Sequence, residues 1–172
     1  MGTQALPTLA EVWHWLSAVP DPEIPVISLT ELGIIRDVVM EGDEVVVVLT
    51  PTYSGCPATS VISLDVEQAL RAQGLEKFRI ERRISPPWTT DWISAEGREK
   101  LRQYGIAPPI DGTGATGHTK AAALLRGSNM SVPCPRCGSP DTEKVSQFGS
   151  TPCKAHYRCR ACLEPFDYFK CI

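Results

Sequence analysis

Two cysteine pairs, Cys134-Pro-Arg-Cys137 and Cys159-Arg-Ala-Cys162, have the residue types and spacing to bind a metal. A Cys-x-x-Cys pair bends into a knuckle that points two sulfurs the same way. Two facing knuckles then offer four thiolates at the corners of a tetrahedron, the closed set of a structural zinc site. Iron accepts the same four sulfurs, and zinc is the preferred reading. The gap between the pairs, Gly138 to Arg158, is slightly longer than usual for such a ribbon, and a longer hairpin accommodates it. Val145, Gln147 and Phe148 fit one strand of that hairpin, Tyr157 a second, and Phe166, Tyr168 and Phe169 a third. About 40 residues rarely bury enough apolar surface to fold unaided. Metal binding would supply the missing free energy, on the order of 10 kcal/mol.

Cys153, Cys171 and His156 stand outside this set. His156 could replace a cysteine, although a histidine beside a complete four-thiolate set is more often a surface or packing residue. Cys153 and Cys171 could be extra ligands, a redox-sensitive pair, or two small buried hydrophobes.

A further cysteine, Cys56, follows Thr50-Pro-Thr-Tyr-Ser-Gly55 and precedes Pro57. This is the expected N-cap of a helix, where partial positive charge and free N–H groups favour a thiolate. Thr50, Thr52, Tyr53 and Ser54 surround it with hydroxyls. A buried structural cysteine is the plain alternative. Covalent catalysis would require a nearby base, and neither His14 nor His118 belongs to a recognisable motif. Holding soft metal requires only an accessible thiolate, so metal handling is the better reading. Asp21, Glu23 and Asp91 lie in two proline-rich loops that an α+β sheet could gather near Cys56. They would bind metal there or, more simply, cap turns. Trp88 and Trp92 fit an interaction surface or a core equally well.

These residues must be positioned by regular elements. Thr8 and Glu11 form a capping box for a helix running to about Val19, with Leu9, Val12, Trp13 and Leu16 on one face. Pro20, Pro22 and Pro25 stop it in a rigid loop. Residues 34–40 and 44–50 are strand-like and joined by Glu41-Gly-Asp43, a hairpin signal. The second run is apolar without alternation, as for a strand covered on both faces. Val61, Ile62, Val66, Ala69 and Leu70 mark a helix closed by Gly74, and Phe78 to Ile84 alternates as a third strand. After a second rigid loop, residues 86–92, Ser94 caps a short helix ending at Gly105. The order is α-β-β-α-β-α, a small α+β domain over residues 5–105. Residues 106–133 read as a flexible linker, with a helical turn at Lys120–Leu125, and residues 134–172 form the ribbon. The linker contains Gly112-Thr-Gly-Ala-Thr-Gly117, but no strand precedes it and no βαβ unit surrounds it, so it is not a dinucleotide site.

Composition is that of an ordinary globular protein, with 42% hydrophobic and 22% charged residues. The net charge of −3 divides into −5 over residues 1–133 (11 basic, 16 acidic) and +2 over residues 134–172 (6 basic, 4 acidic). That balance makes nucleic acid an unlikely partner. No apolar run is long enough to span a bilayer, and the N-terminus resembles neither a signal peptide nor a myristoylation site. Seven cysteines without an export signal place the chain in a reducing cytoplasm.

Two segments carry a family resemblance. Asp21-Pro-Glu-Ile-Pro-Val26, followed by Leu32-Gly-Ile-Ile-Arg-Asp-Val38, resembles the small α+β domain of iron–sulfur cluster assembly proteins. Thr50-Pro-Thr-Tyr-Ser-Gly-Cys56-Pro57 resembles that family's cysteine motif. The likeness covers roughly residues 8–105. A branch of the family, tied to the bacterial phenylacetyl-CoA epoxidase system, joins this domain to a four-cysteine ribbon. It is similar to the present chain in Pro87-Trp-Thr-Thr-Asp-Trp92, Phe148-Gly-Ser-Thr151 and Glu164-Pro-Phe-Asp-Tyr-Phe-Lys-Cys171.

The resemblance implies a role in aerobic phenylacetate breakdown beside a di-iron oxygenase and a flavin reductase that carries an iron–sulfur cluster. The chain has no Glu-x-x-His pairs for a di-iron bundle and no large nucleotide-binding fold, so it would be an accessory rather than the oxygenase itself. Two roles follow. One is to assemble or deliver an iron–sulfur cluster or iron, held transiently by Cys56, with Asp21 and Asp91 shaping the site and a second thiolate supplied by a partner or a second copy. The other is a non-catalytic structural component of the oxygenase complex.

Overall fold

The computed structural model describes residues 6–53, 55–110 and 131–170. It is a mixed helix and strand protein that divides into two compact units between Trp88 and Thr89. The Gly112–Gly117 motif, His118 and the turn expected at residues 120–125 lie outside the described residues.

In the first unit, α1 (Leu9–Ser17) begins with the expected capping box. The Glu11 amide donates to Thr8 Oγ1 at 3.3 Å, and the Thr8 amide donates to Glu11 Oε2 at 2.8 Å. Val12 and Leu16 are buried on its inner face, which packs on residues 59–72 and 35–41. The chain then forms β1 (Ile35–Glu41) and β2 (Glu44–Leu49), an antiparallel hairpin in which Val38 faces Val47. Gly42 turns it at φ +64°, in the left-handed region that glycine occupies without strain. The helix α2 (Thr59–Ala72) carries the chain over to β3 (Phe78–Arg82), which pairs parallel to β2. The sheet order β1-β2-β3 puts β2 in the centre. Every residue from Val45 to Leu49 is buried, as the unbroken apolar run requires of a strand covered on both faces. Trp88 belongs to this core, with its indole N–H donating to the Leu32 carbonyl at 3.1 Å.

The second unit holds a 3₁₀ turn (Thr90–Trp92), α3 (Ala95–Tyr104), β4 (Ile106–Ala107) and the strands β5 (Thr142–Ser146), β6 (Lys154–Cys159) and β7 (Pro165–Phe169). Its sheet has the order β4-β7-β6-β5. Ser94 caps α3 by accepting from the Gly97 amide at 2.9 Å, and Gly105 ends it at φ +92°. The Arg98 guanidinium ties the 3₁₀ turn to the chain beyond α3, donating to the Thr90 and Pro109 carbonyls at 2.7 and 2.6 Å.

This arrangement differs from the sequence expectation. A boundary at residue 105 would assign α3 to the first domain and residues 106–133 to a linker. In the structure α3 falls in the second unit, Ile106 and Ala107 pair parallel to Asp167 and Tyr168, and Val132 enters the ribbon core. A two-residue strand has no periodicity to read, and its place depends on a partner some sixty residues later in the chain. The first ribbon strand also stops at Ser146, after a register irregularity, so Gln147 and Phe148 lie beyond it.

The surroundings of α3 can be tested in two ways. A Cβ on Gly105 would sit 3.2 Å from Arg136 Nη2, on a backbone conformation that side chains rarely adopt. Gly105→Ala is expected to destabilise the second unit by roughly 1–2 kcal/mol, read by denaturant unfolding. The Glu99 carboxyl accepts from Arg102 and Gln103, which pull its pKa down to about 2. Because the folded value lies below the ordinary one, its small stabilising effect is complete above pH 4.5 and fades as pH falls toward 2. Carbon-detected NMR titration of Glu99 checks this.

Candidate metal centre

Each half of the ribbon site is shaped by its own backbone. In the first knuckle the Gly138 amide donates to the Cys134 carbonyl at 2.9 Å, and the Cys134 amide donates to the Ser139 carbonyl at 3.0 Å. Gly138, at φ +75°, lets the chain double back. In the second, the Cys159 amide donates to the Glu164 carbonyl at 2.9 Å and the Cys162 amide donates to Cys159 Sγ at 3.5 Å. Leu163 occupies the position matching Gly138, at φ +66°, a conformation unfavourable for a leucine.

The knuckles face one another. Cys134 Sγ lies 3.7 Å from Cys162 Sγ, Cys137 Sγ lies 3.6 Å from Cys159 Sγ, and all four sulfurs fall within 4.8 Å. A tetrahedron with metal–sulfur bonds of about 2.3 Å has edges of about 3.8 Å, so the four thiols fit one metal ion. Cys134 and Cys159 are buried in a small core with Ala107, Val132, Ala155, Phe166 and Tyr168, while Cys137 and Cys162 face solvent. The Cys162 N–H donated to Cys159, among other hydrogen bonds, lowers that thiol's pKa, while desolvation and the three neighbouring sulfurs raise that of Cys162.

The remaining ribbon candidates lie elsewhere. His156 Nδ1 is 3.3 Å from Asp167 Oδ1, on the sheet rather than in the sulfur cluster. Cys153 is buried, with its sulfur 3.0 Å from Thr151 Oγ1. Cys171 lies outside the described residues. Sequence reasoning missed one feature: buried Lys154 places Nζ 3.3 Å from Asp167 Oδ2, so one carboxylate serves both Lys154 and His156. The register pairing His156 with Asp167 creates this cluster, and no local pattern announces it.

In the first unit, Cys56 is half-buried and free of any disulfide. It is not the helix cap that its position suggested. The α2 N-cap is Ala58, and Cys56 precedes it in a turn. The Cys56 amide donates to the Tyr53 carbonyl, and its own carbonyl accepts from the Thr59 amide and from Thr59 Oγ1 at 2.8 Å. Proline at 57 and the short turn delay regular helix by two residues. Thr50 and Thr52 are buried nearby in sequence. Asp21 takes the capping role: its Oδ1 accepts from the amides of Glu23 and Ile24 at 2.9 and 2.8 Å, which fixes the proline-rich loop. Asp91 belongs to the second unit, where its amide donates to Thr89 Oγ1.

Removing metal from the sulfur cluster is expected to melt β5–β7 while leaving β1–β3 folded, because the hairpin core is small and the central strand β2 is not. Amide NMR before and after a strong chelator reads both units at once. Unchanged dispersion from residues 142–169 would contradict this.

Comparison with known proteins agrees with this two-part construction. Residues 9–81 match the family model of the iron–sulfur cluster assembly protein, and residues 118–170 match that of the PaaD zinc beta ribbon domain. A protein of Escherichia coli provisionally named as the D component of the 1,2-phenylacetyl-CoA epoxidase is 46% identical over 172 residues, spanning all of this chain and 98% of its own. An Fe-S protein maturation auxiliary factor of Porphyromonas gingivalis is 33% identical over 103 residues, 59% of this chain and 97% of its own. A crystal structure of a domain of unknown function from Bacillus anthracis aligns with a TM-score of 0.49 at 26% identity, over 54% of this chain and 89% of that one. The chain therefore belongs to the family of phenylacetyl-CoA epoxidase D components, with an iron–sulfur assembly domain joined to a four-cysteine ribbon.

Proposed function

We propose that this protein is an accessory factor that holds iron or an iron–sulfur cluster for a short time on Cys56 and passes it to another component of a phenylacetyl-CoA epoxidase. The reading is carried by one observation. Cys56 is a free, half-exposed thiol in a backbone-fixed turn, inside the segment that matches iron–sulfur cluster assembly proteins. A single thiolate suits transfer. The Cys56 sulfur–iron bond breaks as a client sulfur–iron bond forms, with no net change of oxidation state. The remaining iron coordination comes from the client or from a second copy. In this reading the carboxylates of Asp21 and Asp91 are structural, since both are engaged in their own turns.

The ribbon's resident metal is zinc rather than iron in this proposal. Four thiolates without an open position form a closed structural site. Retention of free thiols favours a reducing compartment, the cytoplasm. The iron–sulfur flavin reductase of the epoxidase system is the first client to consider. No helix among the described residues is long and apolar enough to cross a membrane. The contribution assigned to it in this proposal is maturation rather than catalysis. A purely structural role is the competing assignment, favoured by the name of the Escherichia coli relative, which makes that protein a part of the epoxidase.

Anaerobic reconstitution with iron and sulfide separates the two. Wild type is expected to bind iron in excess of its ribbon metal, and Cys56→Ser is expected to lose most of that excess while keeping its zinc. Equal iron loading in the two proteins would refute the delivery role.

A further inference from the structure

The first unit has an open side. β3 pairs with β2 alone, and no described residue pairs with its outer edge. The parallel register decides which backbone groups are free there. The Val45 amide donates to the Lys77 carbonyl at 3.1 Å, and the Arg83 amide donates to the Leu49 carbonyl at 2.8 Å. The residues that alternate with these, Phe78, Ile80 and Arg82, therefore aim their N–H and C=O groups away from β2. The same residues line a groove of about 560 Å³ between β3 and α2.

The opposite wall is helical. Thr59, Ser63, Glu67 and Arg71 recur every four residues along α2, and so present one stripe to the groove. Phe78 and Ile80 are only half-buried on the floor, and the Arg71 guanidinium lies 5.3 Å over the Phe78 ring. Three arginines here are already paired: Arg71 with Glu67, Arg79 with Glu41 and Glu44, and Arg83 with Glu81. Arg82 makes no ion pair among the described residues. Its positive charge is local, because residues 1–133 carry a net −5.

A strip of unpaired strand backbone beside a helix, with an apolar floor and the guanidinium of Arg82 at one end, has the parts for strand addition. Main-chain hydrogen bonds supply affinity, and the flanking side chains select the sequence. We propose that the groove between α2 and the outer edge of β3 binds an extended acidic segment of a partner protein, which joins the sheet as a fourth strand. Alternate apolar residues of the segment rest on Phe78 and Ile80. A carboxylate at the next position on that same face meets Arg82. A second copy of this chain is a poorer occupant, since its β3 would bring another Arg82 to the edge. The groove begins at Thr59, whose hydroxyl holds the Cys56 carbonyl, so a docked segment runs toward the cysteine turn. The docking does not depend on Cys56 holding iron.

The probe is an acetylated, amidated peptide, Val-Thr-Val-Thr-Glu-Thr, which sets two valines and a glutamate on one strand face, titrated into the isotope-labelled full chain. The expected result is a shift and slowed hydrogen exchange at the amides of Phe78, Ile80 and Arg82, with affinity falling as salt is added. Arg82→Glu, at an exposed position, should weaken binding about tenfold. Ile80→Pro removes an outward N–H that the β2 ladder does not use, and should also weaken it. Equal binding of the same peptide with lysine in place of glutamate, or unperturbed β3 amides at saturation, would overturn the proposal. So would a dimer, seen by light scattering, that Ile80→Pro converts to monomer, since the edge would then belong to a second copy.

Discussion

The second unit depends on four sulfurs being held within 4.8 Å of one another. Protonated thiols gain little from such proximity, and four thiolates would repel strongly. Only a metal cation makes the cluster favourable, so the fold of the ribbon and the binding of metal are one equilibrium. The apolar core around Cys134 and Cys159 is too small to substitute for it. Four thiolates around a divalent ion carry a net charge of −2. The segment 134–172, with six basic and four acidic residues, carries +2 when its cysteines are counted neutral. The charge asymmetry that reads as ordinary surface thus offsets the charge of a loaded site.

The first unit rests on a different constraint, the burial of β2 on both faces. Covering one face takes helices, and supplying β2 with two neighbours takes a hairpin on one side and a crossover on the other. The crossover must start where β2 ends, which puts a turn and the head of α2 at one end of the central strand. Cys56 occupies that turn. Backbone bonds to Tyr53 and Thr59 fix the turn, so the sulfur is not needed to hold the local structure and is free for other work. The same topology leaves β3 with one bare edge.

The sequence made the local devices legible and left the long-range ones hidden. The capping box of α1, the hairpin at Gly42, the αL stop at Gly105 and both knuckles are written in neighbouring residues, and each appears where the pattern puts it. The four clustered cysteines were readable for the same reason, since two residues of spacing define each knuckle. The N-cap of α2 was not, because Pro57 fits either the first helical turn or the turn before it. The domain boundary was hidden too. Nothing in Ile106-Ala107 shows that these residues pair with β7, since that depends on where the ribbon ends up. The shared carboxylate of Asp167 comes from cross-strand register, which single-strand patterns do not carry.

Coordination number separates the two metal chemistries proposed for this chain. Four thiolates on one ion enclose it, and exchange then requires several bonds to break together or the ribbon to open. A site with a single thiolate from this chain leaves most coordination positions to others, and exchange proceeds one ligand at a time. A protein meant to keep one metal and surrender another needs both kinds of site, on elements whose stabilities do not depend on one another. Each site lies in its own compact unit. In the proposed roles, metal would stabilise the ribbon, whereas the buried β2 stabilises the domain carrying Cys56. Losing iron from Cys56 would leave β2 buried, and the chain could load again.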